Sequence, residues 1–335
     1  MGRRKRVPVT SEGLTGTVLF VLVSVTLSAA AAEAARWTEE SFATRIPVRF
    51  PYSASESASG APVVGQLKTY VVEEGDTLLD VGRYFDLGYN EMVAANPGID
   101  PWLPPPGEVL VIPTEFILPE SEHRGIVVNI PEMRLYQFGG GNAGQAVVTT
   151  YPVGLGRDDW QTPQGRFKIR GKTENPTWVI PESIRAEHIR ERGDDRTFIA
   201  GGDPDNPLGA YRLELTLPLY GLHGSNMPWG VGMQVSHGCI RLYNEDIAEL
   251  FREVKVGTPG EFTYQPVKLG VRAGLIYIEV HPDIYQLHTS HEEEAEGLLQ
   301  QRGWSAHVDR KRLRKALAEQ SGLPVVISSD GLLDP

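Results

Sequence analysis

The chain has a single cysteine, Cys239. One cysteine makes no internal disulfide, and alone it supplies no cysteine-based zinc site. A basic excess is also missing. The 32 lysines and arginines stand against 43 acidic residues, a net charge of −11. That argues against a nucleic-acid binder, whose partner's phosphates need a basic face. Low complexity is missing too: 36 glycines and 25 prolines in 335 residues fall short of a disordered composition. Those turn residues suit a β-rich protein better than a helical bundle. With 41% hydrophobic residues, the chain buries a real core. Its length predicts about two domains at roughly 150 residues each.

A long uncharged run occurs near the start, over residues 14–32, behind the basic group Arg3, Arg4, Lys5 and Arg6. Alanines close it, and Ala30 with Ala32, or Ala32 with Ala34, forms an Ala-x-Ala cleavage pattern. Residues 1–34 therefore read as a secretory signal peptide. An uncleaved anchor is the alternative, since the run is borderline for a membrane span. The expectation is an exported, acidic protein with one free thiol. Outside the cytoplasm such a thiol is an oxidation risk, which favours a functional role for it.

Residues 35–65 carry little core signal and read as a linker, with a small polar stretch at 53–60. Order returns with a strand at 70–72 and a turn at Gly75-Asp76, where Asp76 or Thr77 is a helix N-cap. Apolar residues at helical spacing follow over 78–85, then a second helix at 89–95 stopped by Asn96-Pro97-Gly98, then a closing strand at 109–112. This βααβ unit, residues 66–114, resembles a LysM module. The likeness rests on Tyr70-Val71-Val72-Glu73-Glu74-Gly75-Asp76-Thr77-Leu78, Ala95-Asn96-Pro97, Gly107 and Leu110-Val111-Ile112-Pro113. The resemblance implies binding of N-acetylglucosamine-containing wall glycan; the plainer reading is a spacer domain.

Residues 120–265 read as mostly strand, with apolar runs at 125–130, 133–138, 145–153, 166–170, 210–215 and 221–223. Gly139, Gly141 and Gly144 match GxGxxG, but a strand follows where a dinucleotide loop needs a helix, so a hairpin turn is expected. Helices are expected at 184–192 and 246–254. Residues 266–335 form a C-terminal extension with a strand at 275–280 and helices at 292–301 and 309–320. The basic residues of the last helix read as a solvated face.

The chemistry concentrates in Leu222-His223-Gly224-Ser225-Asn226 and Ser236-His237-Gly238-Cys239-Ile240-Arg241-Leu242. A cysteine attacks as thiolate, and its ordinary pKa near ~8.5 calls for a neighbouring histidine. His223 and His237 both qualify, and the residues alone do not choose between them. Gly238 suggests a backbone turn able to aim consecutive N–H groups at a developing oxyanion. A buried structural cysteine and a metal site of His223, His237 and Cys239 are the competing readings.

These residues also resemble the L,D-transpeptidases of the YkuD type, in the periplasmic branch that includes enzymes anchoring Braun's lipoprotein. Further likeness runs through Tyr151-Pro152-Val153-Gly154, Thr162-Pro163-Gln164-Gly165, Asn175-Pro176-Thr177-Trp178 and Asp205-Asn206-Pro207-Leu208-Gly209. The resemblance implies a β-sandwich-like catalytic domain and a peptidoglycan tetrapeptide stem as substrate. Cys239 would attack the diaminopimelate carbonyl at position three and release D-alanine. The acyl group would then pass to a second diaminopimelate, giving a 3–3 cross-link, or to a lipoprotein lysine. It implies His223 as acid/base, oriented by the Gly224 carbonyl, and an oxyanion hole from His237, Gly238 and Cys239. Arg241 is a candidate for a substrate carboxylate, with Ser236, Asn226, Trp178 and Trp229 as further cleft candidates. No cofactor or metal is implied. An L,D-carboxypeptidase and a non-catalytic wall-binding protein are the alternative functions.

Overall fold

Strand alternation sends successive side chains to opposite faces, and here both faces are used. The computed structural model describes residues 37–43, 45, 48–52, 61–140, 146–287 and 290–329. Its main sheet has nine strands, in the order Val48–Tyr52, Ala146–Pro152, Arg134–Gly140, Gly125–Asn129, Pro259–Thr263, Gly165–Glu174, Tyr211–Leu215, Gly221–His223 and Ile240–Arg241. The strand-rich fold expected from the turn residues is what forms. The segment 1–34 expected to be a signal peptide, the polar stretch 53–60 and the glycine-rich tip 141–145 lie outside the described residues. The strands flanking that tip pair antiparallel, Gly140 opposite Ala146, as a hairpin does.

One face of the sheet carries Ile126, Val128, Leu135, Tyr151, Phe167, Leu213, Leu222 and Ile240 into a single core. The helix Asn244–Glu253 closes it with Ile247 and Leu250. The other face of the same strands carries Val127, Tyr136, Phe138 and Val148. These meet Val72, Leu78, Val81, Leu87, Met92, Leu110 and Ile112 from residues 68–112.

Those residues fold as a strand Lys68–Val71, helices Leu78–Tyr84 and Tyr89–Ala95, and a strand Val109–Ile112. Thr77 caps the first helix by accepting from the Asp80 N–H at 3.1 Å. Asn96 ties the second helix to the closing strand: its side chain donates to the Met92 and Val111 carbonyls, both at 2.9 Å, and accepts from the Val111 N–H at 2.7 Å. The unit is docked, not tethered. The Tyr89 and Asn90 N–H groups donate to the Val231 and Gly232 carbonyls at 3.2 Å.

The expected linker differs from the structure. Val48–Tyr52 is an edge strand of the main sheet, and Ala61–Gly65 pairs with Glu115–Ile117 and Val267–Arg272. Both strands are short and contain proline, which masks strand pattern. Pro51 is tolerated because its strand lies at the sheet edge. The C-terminal extension builds its own core from Leu269, Ile276 and Ile278 under the helices His291–Gln301 and Arg310–Glu319. Arg310, Lys311, Arg312, Arg314 and Lys315 stay exposed there.

Arg134 locks the two halves of the second core together. It is fully buried, and its Nε and Nη2 donate to Glu91 at 2.7 and 2.8 Å. Its remaining donors reach Thr150 Oγ1 at 2.7 Å and the Asp86 carbonyl at 3.0 Å. Arg134→Met leaves Glu91 buried without its partner, and the unfolding free energy from urea titration should fall by about 3–5 kcal/mol. The double change Arg134→Met with Glu91→Met should recover part of that loss. No recovery would show that the pair is not the stabilising contact.

Candidate active site

Three neighbouring strands place the reactive side chains. Gly221–His223 runs antiparallel to Tyr211–Leu215, with Arg212 opposite His223. On its other side it runs parallel to Ile240–Arg241, with Leu222 beside Ile240 and His223 beside Arg241. Leu213, Leu222 and Ile240 point into the main core. By alternation Arg212, His223 and Arg241 share the opposite face, and Cys239, two residues before Arg241, belongs to it as well.

His223 is 3% exposed, and its Nδ1 lies 2.8 Å from the Gly224 carbonyl. A carbonyl only accepts, so Nδ1 carries the proton and Nε2 keeps its lone pair. Burial depresses the imidazole's pKa to about 3, and the Arg241 and Arg212 guanidiniums push the same way against the Gly224 carbonyl. At neutral pH the ring is an uncharged base.

Cys239 is half-buried, with Sγ 3.5 Å from the Leu219 carbonyl. Burial pushes its thiol pKa up, and the nearby Arg212 and Arg241 charges and a Gly221 backbone hydrogen bond only partly oppose this. The resting pair is therefore a neutral thiol and a neutral imidazole, not a thiolate with an imidazolium.

The turn before the cysteine is held by Ser236. Its Oγ donates to the Cys239 carbonyl at 2.6 Å and accepts from the Gly238 N–H at 3.1 Å. Gly238 adopts φ +98°, and a Cβ there would lie 2.9 Å from the Tyr220 ring. The Gly238 N–H, one of the three expected in an oxyanion hole, donates inside this turn. Ser236, expected at the substrate, has its hydroxyl engaged in the same turn.

His237 faces elsewhere. Its Nε2 is 2.9 Å from Glu187 Oε2 and 3.3 Å from Arg157 Nη2, and its ring meets Trp160 edge-on at 5.3 Å. Glu187 belongs to the helix Glu182–Arg192, and its carboxyl is held low first by the His237 hydrogen bond. The placements thus separate two histidines that spacing left equivalent. Trp178 packs with Ile180, Ile184 and Ile199 in a small core of its own. Asn226 donates to the Asp205 carbonyl at 3.3 Å, and Trp229 is exposed. The structure thus unites His223, Gly224, Cys239 and Arg241 at one sheet edge, and shows Trp178 and Asn226 in local supporting contacts.

Arg212 was not singled out by the sequence. It occupies the polar position of an alternating strand, which ordinarily means solvent; its signal is visible only once the strand order is known. Among the described residues, the His, Cys and carboxylate ligand atoms converging within 4.8 Å are those of Glu132, Glu279 and His281. His223, His237 and Cys239 do not converge in that way. At the former cluster the Lys268 ammonium already sits 2.8 Å from Glu132 and 2.7 Å from Glu279.

The model of the YkuD family, L,D-transpeptidase catalytic domain, matches residues 123–267. The chain is 37% identical over 280 residues to the probable L,D-transpeptidase YbiS of Escherichia coli strain K12, covering 79% of this chain and 89% of that protein. It is 35% identical over 280 residues to the probable L,D-transpeptidase ErfK/SrfK of Salmonella typhimurium strain LT2, covering 81% and 89%. It is 36% identical over 256 residues to the probable L,D-transpeptidase YcfS of Escherichia coli strain K12, covering 73% and 79%.

The neutral resting pair has a measurable signature. The alkylation rate of Cys239 by iodoacetamide should climb with pH through a value above that of an ordinary cysteine thiol. A plateau already reached between about pH 6 and 7 would instead show a preformed thiolate.

Proposed function

This chain belongs to the L,D-transpeptidase family and is an enzyme of the acyl-transferring class, and on that premise we propose that Cys239 is its nucleophile and His223 its proton carrier. The observation that carries the reading is the His223 Nδ1 contact with Gly224 at 2.8 Å. It puts the proton on Nδ1 and leaves the basic lone pair on Nε2, on a side chain that shares its face of the sheet with Cys239. The proposed donor is a peptidoglycan tetrapeptide stem.

The thiol proton passes to His223 Nε2 as Sγ attacks the carbonyl of residue three. The N–H groups of His237 and Cys239 stabilise the oxyanion. The C–N bond breaks, and the imidazolium returns its proton to the departing D-alanine amine. A thioester remains on Cys239. An acceptor amine then attacks it, gives its proton through His223 and regenerates the thiol. The acceptor is a second diaminopimelate, giving a 3–3 cross-link, or a lipoprotein lysine. Water as acceptor would make the enzyme an L,D-carboxypeptidase. No step requires a cofactor.

The same reading makes residues 1–34 an export signal, places the enzyme in the periplasm and gives the 66–114 unit a LysM-type glycan-binding role. Because that unit shares a core with Val127, Tyr136 and Phe138, deleting it would strip apolar surface from the catalytic sheet. Surface changes are the informative ones, and Trp102 and Leu103 are exposed at 55% and 79%.

Cys239→Ala should abolish D-alanine release from a purified tetrapeptide stem, and His223→Gln should slow it by roughly 10²–10⁴-fold. Release by Cys239→Ala, or release at an undiminished rate by His223→Gln, would overturn the mechanism. Muropeptide analysis of sacculi treated with the enzyme, with and without lipoprotein, reads out the acceptor directly. Trp102→Ala with Leu103→Ser should reduce co-sedimentation with sacculi while turnover of the soluble stem is unchanged. Undiminished co-sedimentation would remove the glycan-binding role from this face.

A further inference from the structure

Arg212 and Arg241 stand on either side of His223 in the strand register. Each has a buried Nε without a hydrogen-bond partner. Neither forms an ion pair among the described residues. In lacking an ion pair these two half-buried side chains differ from the buried arginines of the chain. Arg134 is paired with Glu91, Arg83 with Glu39 and Glu245, and Arg45 with Asp246. In a chain with 43 acidic residues against 32 basic ones, two unpaired guanidiniums at one point are an exception that costs desolvation. Room is also made for them. A Cβ on Gly221 would lie 3.2 Å from Arg212 Nε.

We propose that Arg212 and Arg241 together bind the free α-carboxylate of the amino acid that leaves, restricting the donor to peptides cleaved before their last residue. This rests on the reading above, in which His223 returns a proton to the departing amine. In the departing residue the carboxylate carbon is two bonds from that amine nitrogen. An amine placed at His223 Nε2 therefore puts its carboxylate in front of the imidazole. Adjacent strands are about 4.8 Å apart, so a long side chain from each neighbouring strand reaches an anion there. The guanidinium fork matches a carboxylate in geometry and charge.

The arrangement also couples donor binding to activation. In the empty site the two guanidiniums face an imidazole that must accept a proton, and they disfavour that step. A bound carboxylate offsets their charge and favours the imidazolium. The thiol is then deprotonated when a donor is seated, not before. A longer stem, carrying its carboxylate one residue further out, leaves the guanidiniums uncompensated.

The test separates this proposal from the transpeptidase reading. On the Cys239→Ala protein, which binds without turnover, the affinity of a fluorescein-labelled stem tetrapeptide ending in D-alanine is compared with that of its carboxamide. The acid should bind on the order of ten-fold tighter. Arg212→Gln in the same background should erase the difference by weakening the acid alone, and Arg212→Lys should keep part of it. Equal affinity of acid and carboxamide overturns the proposal. Equal weakening of both ligands by Arg212→Gln does so as well, since it assigns Arg212 a structural role. An acid preference in a protein whose unmutated form releases no D-alanine would instead sink the transpeptidase reading and leave the carboxylate site standing.

Discussion

The parallel pairing of Leu222 with Ile240 and His223 with Arg241 is the contact on which the site depends. It converts a burial preference into a chemical geometry. Leu222 and Ile240 are fully buried, each stabilising by roughly 1.5–3 kcal/mol relative to exposure. A one-residue slip would carry both to the wrong face and bring His223 and Arg241 into the core. The hydrophobic effect therefore fixes which side chains meet at the sheet edge. Hydrogen bonds then set their details: Gly224 chooses the imidazole's tautomer, and Ser236 shapes the turn that presents Cys239.

The same logic explains why the βααβ unit is not a bead on a string. Strands 125–129 and 134–140 place apolar residues on both faces, so one core cannot satisfy them. The unit supplies the second core, and the Arg134–Glu91 pair gives that interface a polar lock with defined register. Its Tyr89 and Asn90 are bonded to Val231 and Gly232, in the segment that leads from the His223 strand to the Ser236 turn. If the unit holds glycan as proposed, strand and stem peptide are presented by parts that share one core.

What was legible in the sequence follows from the range of the interactions. The βααβ order rests on local caps and periodicity, and Thr77 and Asn96 act within a few residues or one short loop. Cys239 and His223 were visible as candidates through their motif. The difference between His223 and His237 was not, because a histidine's role depends on what its ring nitrogens touch, and Glu187 is fifty positions from His237. Arg212 was invisible for a related reason: a charge at an alternating position means solvent until the strand order puts a histidine beside it. The strands at 48–52 and 61–65 were read as linker because their partners, 146–152 and 267–272, are distant in sequence and prolines interrupt them.

The electrostatics of the edge complete the argument. A cysteine activated by a permanent imidazolium is nucleophilic at all times, including toward oxidants. Here burial raises the thiol and depresses the imidazole together, so the charge-separated pair is disfavoured in the empty site. The Arg212 and Arg241 charges pull the two groups in opposite senses, favouring thiolate and opposing imidazolium. An anion between them cancels the second effect where it is closest to the ring, while the thiolate keeps the Gly221 backbone hydrogen bond. On the proposed mechanism, burial keeps the thiol protonated in the empty site, burial and the two arginine charges together keep the imidazole neutral, and the charge of the incoming ligand shifts that balance without any moving part.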